Sequence, residues 1–226
     1  MIKASKLFTE QEKQAIKKAV AEAEKKTSGE IVPVVATASG RYDRAEDIVG
    51  LLTALLAVSL AWFFFQDVRT VPGDWSSGQA LKLGLFSVLG IFTGGFILGS
   101  AAATYLPALK RPFIPARELR DEVERGAAAA FHSLRVRRTS GSAGVLIYVS
   151  LFERIVRVEG DETIGNKLSP SDWEEVCGLI TRGLRDGRAC EGLCLAIAGC
   201  GELLGRLFPI LPGDRNELDN ELNLID

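Results

Sequence analysis

The sequence predicts a small α/β domain into which two transmembrane helices are inserted, and three observations support this class. Two long runs without charge, 49–65 and 83–106, lie in the middle of the chain, and each can cross a bilayer as a helix. One strand pattern precedes these runs, and a two-strand pattern follows them. Neither flank has enough strands for its own sheet, so we expect strands from both flanks to pair in one sheet.

The first flank begins with a helix and continues with a strand. Thr9 and Glu12 have the spacing of a capping box at a helix N-terminus, and apolar residues recur on one face up to Lys26. The segment 30–39 is apolar and rich in β-branched residues, which predicts a buried strand. Pro33 within this segment indicates an edge strand or a bulge.

The two uncharged runs predict membrane-spanning helices. Buried helices of a soluble core are the alternative, but two such runs could hardly be covered by so short a chain. The connection 66–82 contains two basic residues, whereas the outer flanks of the runs contain more: Arg41, Arg44, Lys110, Arg111, Arg117 and Arg120. The positive-inside rule therefore predicts a multi-pass membrane protein with both termini in the cytoplasm.

Small residues in the second run indicate close packing against another helix. Gly90, Gly94, Gly95 and Gly99 would let a second helix backbone approach. That second helix is either the first run of the same chain or a helix of a membrane protein partner, including a second copy. Neither run contains a charged residue, which disfavours a transporter or channel because those functions usually need polar groups within the membrane.

The lipid bilayer is the partner that the sequence itself predicts. The net charge of −2 provides no basic field that would indicate a nucleic-acid partner. The four cysteines lie in the last quarter of the chain and there is one histidine, His132. Because no CxxC pair is present, we expect reduced, buried cysteines rather than a zinc site.

The second flank completes the predicted domain. A helical pattern covers 115–134, and the apolar run 144–151 followed by the alternating segment 154–160 predicts a β-hairpin. Ser169 and Pro170 predict the start of a helix, and a last helix is predicted from Cys190 to Leu207.

These elements divide the chain into four parts. Residues 1–47 and 110–208 are the two halves of the α/β domain, and 48–109 hold the transmembrane helices with a short outer loop. Residues 209–226 form a polar tail that we expect to be ordered only in part.

Three segments of the flanks resemble the TPM domain family. They are TSGEIVPVV at 27–35, RRTSGSAGVLIYVSLFERIVRVEGDETI at 137–164 and RDGRACEGLCLAI at 185–197. The order of elements is similar to a bacterial membrane subgroup in which two transmembrane helices follow the first strand. The resemblance implies an α/β/α sandwich that belongs to a protein of the inner (plasma) membrane. For some family members it also implies acid phosphatase activity and calcium binding.

The resemblance places acidic residues at the ends of the sheet elements. The candidate metal ligands are Glu30, Asp161, Glu162 and Glu191. If they converged, their oxygen atoms would suit a hard cation, Ca²⁺ or Mg²⁺, which could assist phosphoryl hydrolysis. The alternative is that these residues are ordinary helix caps and surface acids.

A cluster of arginines predicts an anion site. Arg135, Arg137 and Arg138 precede the flexible sequence TSGSAG at 139–144, where guanidinium groups and backbone amides could hold a phosphate or a lipid headgroup. The alternative is a solvated charge run beside the anionic membrane face.

Two functions remain open at this point. We favour a membrane-anchored module that binds a protein or assists assembly, because the sequence contains no recognisable catalytic constellation. The second function is a metal-dependent hydrolase like the acid phosphatases, and it rests on the family resemblance alone.

Overall fold

The computed structural model describes residues 3–65, 73, 83–136, 143–210 and 218–226, and these residues form two compact units. The described residues of one unit lie within 41–115 and contain the two long apolar helices. The other unit combines residues 3–40 with 116–226 and contains the sheet. The predicted α/β class is confirmed, and the apolar helices are inserted between two strands of one sheet.

The α/β unit is built on a four-stranded mixed sheet with the order β3-β2-β1-β4. Its strands are β1 (Glu30–Ala36), β2 (Gly144–Ser150), β3 (Ile155–Gly160) and β4 (Asn223–Ile225). β1 pairs in parallel with both β2 and β4, and β2 pairs antiparallel with β3. The strand before the apolar helices is therefore the neighbour of the strand that follows them, as the sequence predicts.

The helices follow the predicted order. They are α1 (Glu10–Glu24), α2 (Asp43–Phe65), α3 (Leu85–Tyr105), α4 (Pro107–Lys110), α5 (Ala116–Ser133), α6 (Glu162–Gly165), α7 (Glu174–Arg185) and α8 (Ala189–Leu207), with short 3₁₀ turns at Ala4–Lys6, Arg111–Phe113 and Pro170–Trp173. The predicted capping box at Thr9 is present, and Ser169 forms a second one with Asp172. These local signals fix where α1 and the turn before α7 begin.

Helices cover both faces of the sheet. On one face Val32 and Val34 of β1 pack with Val123 and Ala127 of α5. On the other face the remaining strand residues pack with apolar residues of α1, α7 and α8, among them Val20, Ile180, Leu193 and Ile197. This arrangement is an α/β/α sandwich, in which each sheet face is buried by a helix layer.

Pro33 lies in β1, a central strand, although the sequence indicates an edge strand or a bulge. A proline is tolerated there because β4 pairs only with Val34–Ala36, which leaves one side of the first part of β1 open. Ile31 donates its N–H toward that side, to the Glu24 carboxylate. Backbone groups alternate along a strand, so the Pro33 nitrogen also faces the open side, where a missing N–H costs no ladder hydrogen bond.

Residues 218–226, within the predicted polar tail, pack against the rest of the α/β unit. They supply β4, and Lys17 of α1 lies 3.0 Å from Glu221. The Asp226 carboxylate accepts hydrogen bonds from the N–H and hydroxyl of Ser5 and from the hydroxyl of Thr37. The tail therefore covers part of the edge that β1 would otherwise leave unpaired.

The two apolar helices pack closely through part of the glycine pattern. A Cβ on Gly95 would lie 2.9 Å from the Cα of Ala54, and one on Gly99 would lie 2.6 Å from the hydroxyl of Thr53. Gly90 and Gly94, in contrast, have open space on their Cβ side. Packing of α3 against α2 thus accounts for Gly95 and Gly99. Self-association through Gly90 and Gly94 stays a prediction.

Both apolar helices have the length and composition to cross a membrane. Their outward side chains are largely exposed, for example Leu56 at 60%, Phe63 at 78%, Phe86 at 89% and Leu98 at 71%. Core helices of a soluble protein would have such residues buried.

Candidate functional site

A polar contact joins the apolar helices at the end where the chain enters and leaves them. Glu46 lies in the first turns of α2, and its Oε1 is 2.5 Å from Nζ of Lys110. Its other oxygen accepts a hydrogen bond of 2.7 Å from the hydroxyl of Thr104. The Lys110 and Glu46 side chains are only 14% and 19% exposed. This pairing neutralises both charges next to the apolar surface, where an isolated charge would be costly.

A buried carboxylate holds the segment that follows β1. Glu153, in the turn between β2 and β3, is 2% exposed. Its Oε1 accepts the N–H groups of Ser39 at 2.9 Å and Gly40 at 3.3 Å, and the Ser150 hydroxyl donates to its Oε2. The Ser39 hydroxyl also lies 3.1 Å from the hydroxyl of Tyr148. The network holds Ser39 and Gly40 against the turn between β2 and β3.

Glu30, the first of the predicted metal ligands, lies at the start of β1 beside a second acid. Glu30 is buried, and the half-buried Glu24 of α1 is its neighbour. Glu24 Oε1 accepts the Ile31 N–H at 3.0 Å, and Asn220 contacts the same carboxyl group. Burial, together with the charge of Glu30, raises the pKa of Glu24 to about 7, so that it is largely protonated in weak acid.

Asp161 and Glu162 lie at the end of β3. Asp161 is 5% exposed, and its Oδ1 caps α6 by accepting the N–H groups of Thr163 and Ile164, both at 3.1 Å. Glu162 is exposed in the first turn of α6. The start of β2 separates Asp161 from Glu30, because Asp161 and Glu30 bond to Gly144 and Ala143 respectively. Two strand spacings put their backbones roughly 10 Å apart.

Glu191 lies far from the other three acids. α8 runs alongside α1 in the same direction, since Cys190 contacts the backbone of Glu12 and Gly201 packs on Ala23. Glu191 is therefore near the start of α1, whereas Glu30 is near its end. Glu12 and Glu24 mark these two positions on α1, and the twelve residues between them correspond to about 18 Å along the helix axis. Glu191 instead pairs with Arg188, 3.2 Å away.

The structure does not gather the four acids around one point. Within the described ranges there is no group of three or more His, Cys, Asp or Glu side chains that could hold a metal ion. Asp161 acts as a helix cap and Glu191 as a surface ion-pair partner, which are the ordinary roles weighed from the sequence.

Of the three arginines in the predicted anion site, the structure describes Arg135. Arg135 follows α5 and has a left-handed backbone, with φ of 56°. Arg137 and Arg138 lie outside the described residues, as does most of the TSGSAG sequence. Anion binding by this cluster stays a prediction.

Sequence reasoning did not single out Glu24, Glu46 or Glu153. Each resembles an ordinary acid in the sequence, because helix ends, first helical turns and hairpin turns commonly contain Glu. A usable signal existed for Glu46, since it stands within a turn of an uncharged run and Lys110 follows the other run. No comparable local signal marks Glu24 or Glu153, whose partners include the sequence-distant Asn220 and Ser39 respectively.

Comparisons with known proteins inform the fold. No protein-family model matches the sequence, and no curated protein matches it. Among solved structures, the NMR structure of the BA42 protein from the psychrophilic bacterium Bizionia argentinensis sp. nov. is similar, with a TM-score of 0.54 and 21% identity. The similarity covers 96% of this chain and 94% of BA42. At this identity the likeness shows a shared α/β fold and nothing about activity.

Proposed function

We propose that this chain is an integral protein of the bacterial inner membrane whose α2–α3 hairpin anchors a cytoplasmic, TPM-like α/β domain. The domain serves as a module that binds a protein or assists assembly. The observation that carries the proposal is the insertion of an exposed apolar hairpin between β1 and β2, which are neighbours in one sheet. Both flanks of the hairpin must therefore emerge on the same side of the bilayer.

The hairpin geometry supports membrane anchoring. The contact between Glu46 and Lys110 places the start of α2 beside the residues that follow α3. Thr53 and Ser59 satisfy their hydroxyls by donating to backbone carbonyls one turn earlier, at 2.8 Å each. Side chains with such internal partners can lie in lipid at low cost.

The charge distribution supports the cytoplasmic orientation. Six basic residues flank the helices on the side of the α/β domain, as against Arg69 and Lys82 in the connection. An excess of Lys and Arg marks the cytoplasmic side of short flanks.

The sequence segments that resemble the TPM family form strands of the sheet. The segment TSGEIVPVV forms most of β1, and the segment 137–164 contains β2 and β3. The fold likeness to BA42 supports the sandwich that this resemblance implies.

The placement of the acids favours a binding module over the metal-dependent hydrolase. Glu191 is about 18 Å along α1 from the level of Glu30, and Asp161 uses one oxygen to cap α6. The hydrolase would need a different set of ligands from the one that the sequence predicts.

Membrane anchoring is tested by fractionation and labelling. The expressed chain should sediment with membranes, resist alkaline carbonate and dissolve only in detergent; recovery in the supernatant without detergent would contradict the proposal. In a cysteine-free background, a Ser76→Cys variant should react with an impermeant maleimide in intact spheroplasts. A matched Arg117→Cys variant should react only after permeabilisation, and the reverse pattern would overturn the orientation.

The hydrolase alternative is tested on the full-length protein in detergent. We expect no turnover of an aryl phosphate with Mg²⁺ or Ca²⁺ and no metal-dependent shift in melting temperature. Metal-dependent turnover that is lost in both Glu30→Ala and Asp161→Ala would establish the hydrolase instead.

A further inference from the structure

Two of the four cysteines share one face of α8. Cys190 and Cys194 are one helical turn apart, and both are partly exposed. Side chains four residues apart on a helix have Cβ atoms about 5–6 Å apart. Both residues pack against the edge of the larger hydrophobic cluster, so their side chains have little freedom to turn away.

The two thiols are close enough for the Cys190 sulfur to affect the pKa of Cys194, and the other two cysteines lie elsewhere. Cys190 Sγ is 3.7 Å from the carbonyl oxygen of Glu12, a weak contact that directs it toward the start of α1. Cys177 lies on α7, where its sulfur is 4.0 Å from the Val156 carbonyl, and Cys200 is fully buried. A pair of adjacent thiols is thus the only sulfur cluster in the part of the chain that the structure describes.

The surroundings keep both thiols protonated at neutral pH. Burial raises the pKa of Cys190, and burial together with the neighbouring Cys190 sulfur raises the pKa of Cys194 to about 12. Such thiols are poor nucleophiles and resist oxidation. A redox or catalytic role therefore fits them less well than capture of an ion that binds sulfur strongly enough to displace protons.

The number of ligands selects the kind of ion. Structural zinc takes four ligands, and no group of three or more His, Cys, Asp or Glu is present among the described residues. Soft thiolate ligands select Cu(I), which is stable with two of them. We propose that Cys190 and Cys194 form a two-coordinate thiolate site for a soft monovalent metal ion, represented by Cu(I).

Binding at this site is a ligand exchange without redox chemistry. The two S–H bonds break, two copper–sulfur bonds form, and both protons pass to the solvent while copper remains Cu(I). The weak contact between Cys190 and Glu12 is lost in the exchange. Because two protons leave for each ion bound, affinity should rise with pH.

The test uses the full chain in detergent under reducing, anaerobic conditions. Cu(I) is supplied from a chromophoric chelator that competes for it, and binding is followed by the chelator colour and by the ultraviolet absorption of copper–thiolate bonds. We expect one Cu(I) per chain in the wild type and in the matched control Cys177→Ser. Cys190→Ser and Cys194→Ser should each lose stoichiometric binding, and Zn²⁺ should not bind stoichiometrically to any variant.

Several results would overturn the proposal. They are the absence of stoichiometric Cu(I) in the wild type, its persistence in either single variant, and its loss in Cys177→Ser. If a serine variant melts differently from the wild type, the alanine variants Cys190→Ala and Cys194→Ala decide, since they keep the apolar packing. The site does not depend on membrane anchoring, so its failure would leave the proposed function untouched.

Discussion

The buried acid Glu153 accepts hydrogen bonds from donors both near and far in sequence. The N–H groups of the distant Ser39 and Gly40 and the hydroxyl of the nearby Ser150 all point at its carboxylate. Hydrogen bonds to a charged acceptor are stronger than neutral ones. Without that acceptor, the half-buried backbone donors of Ser39 and Gly40 and the buried Ser150 hydroxyl would lose this partner.

Replacing this carboxylate should destabilise the fold. We expect Glu153→Ala to lower the free energy of unfolding by about 2–3 kcal/mol, because the buried Ser150 hydroxyl and two half-buried N–H groups lose their acceptor. Thermal or chemical unfolding in detergent would measure the change. Glu124→Ala is the matched control: Glu124 is 59% exposed and pairs with Arg157, so its loss should cost less than about 1 kcal/mol. Equal effects of the two variants would contradict this account.

The Glu24 carboxyl group should make stability depend on pH. Its pKa is raised from the ordinary 4.5 to about 7 by burial and by Glu30. The folded state therefore holds a proton that the unfolded state has released, so stability falls as pH rises from 4.5 to about 7. Glu24→Gln should remove this fall, as seen in melting temperatures across that range, whereas the exposed Glu22→Gln should keep it. A wild-type melting temperature that does not fall would refute the prediction.

Individual elements show how far the sequence determines the fold. The capping boxes, the hairpin and the two apolar helices could be predicted, because each has a signal within a few residues. β4 could not be predicted, since its three residues acquire strand structure only by pairing with β1. The Glu24 site was hidden for the same reason: its neighbours Glu30 and Asn220 come from other elements.

Packing between α2 and α3 should depend on which glycine is replaced. A side chain at Gly99 would meet Thr53 and the backbone of Gly50, which lies 2.9 Å from the Cβ position. Gly99→Leu should therefore destabilise the helix pair by about 1–3 kcal/mol. Gly94→Leu is the control, because nothing lies within 4 Å of its Cβ position. Melting in detergent would compare them, and a greater loss in Gly94→Leu would show that the helices pack through the other face.

Docking of β4 should depend on Asp226. Hydrogen bonds from Ser5 lower the pKa of Asp226 from 3.8 to about 2, so its stabilising effect is present above pH 3.8 and is lost as pH falls toward 2. Asp226→Asn should speed hydrogen exchange in residues 218–226 at neutral pH. The control Asp219→Asn should change exchange little, since Asp219 is 73% exposed. Unchanged exchange in Asp226→Asn would show that β4 is held by its backbone pairing alone.

The molecule as a whole combines two units with different surfaces. The sheet, its two helix layers and both hydrophobic clusters belong to residues 3–40 and 116–226. Among the residues that the structure describes, none of the apolar hairpin belongs to those clusters. The α/β unit thus contains a core of its own, which is what an independently folding domain requires.

Removing the hairpin should leave a soluble domain. Joining Gly40 to Ala116 through a short Gly/Ser linker, in place of 41–115, should yield a protein that stays in solution without detergent and melts cooperatively. Sedimentation and circular dichroism would report both properties. Aggregation of this variant, with the full chain well behaved in detergent, would show that the sheet needs the hairpin to close.

The pairing of β1 constrains the order of events during synthesis. β1 is complete at Ala36, but its two neighbours begin at Gly144 and Asn223. The ribosome synthesises both apolar helices before either neighbouring strand exists, and under the membrane anchoring proposed above these helices enter the bilayer in that interval. Throughout that interval β1, which is buried along its whole length in the folded sheet, is a nascent segment with no edge to join, a state prone to mispairing. We expect production of this protein to be limited by how quickly the bilayer accepts the hairpin, more than by how quickly the sheet forms.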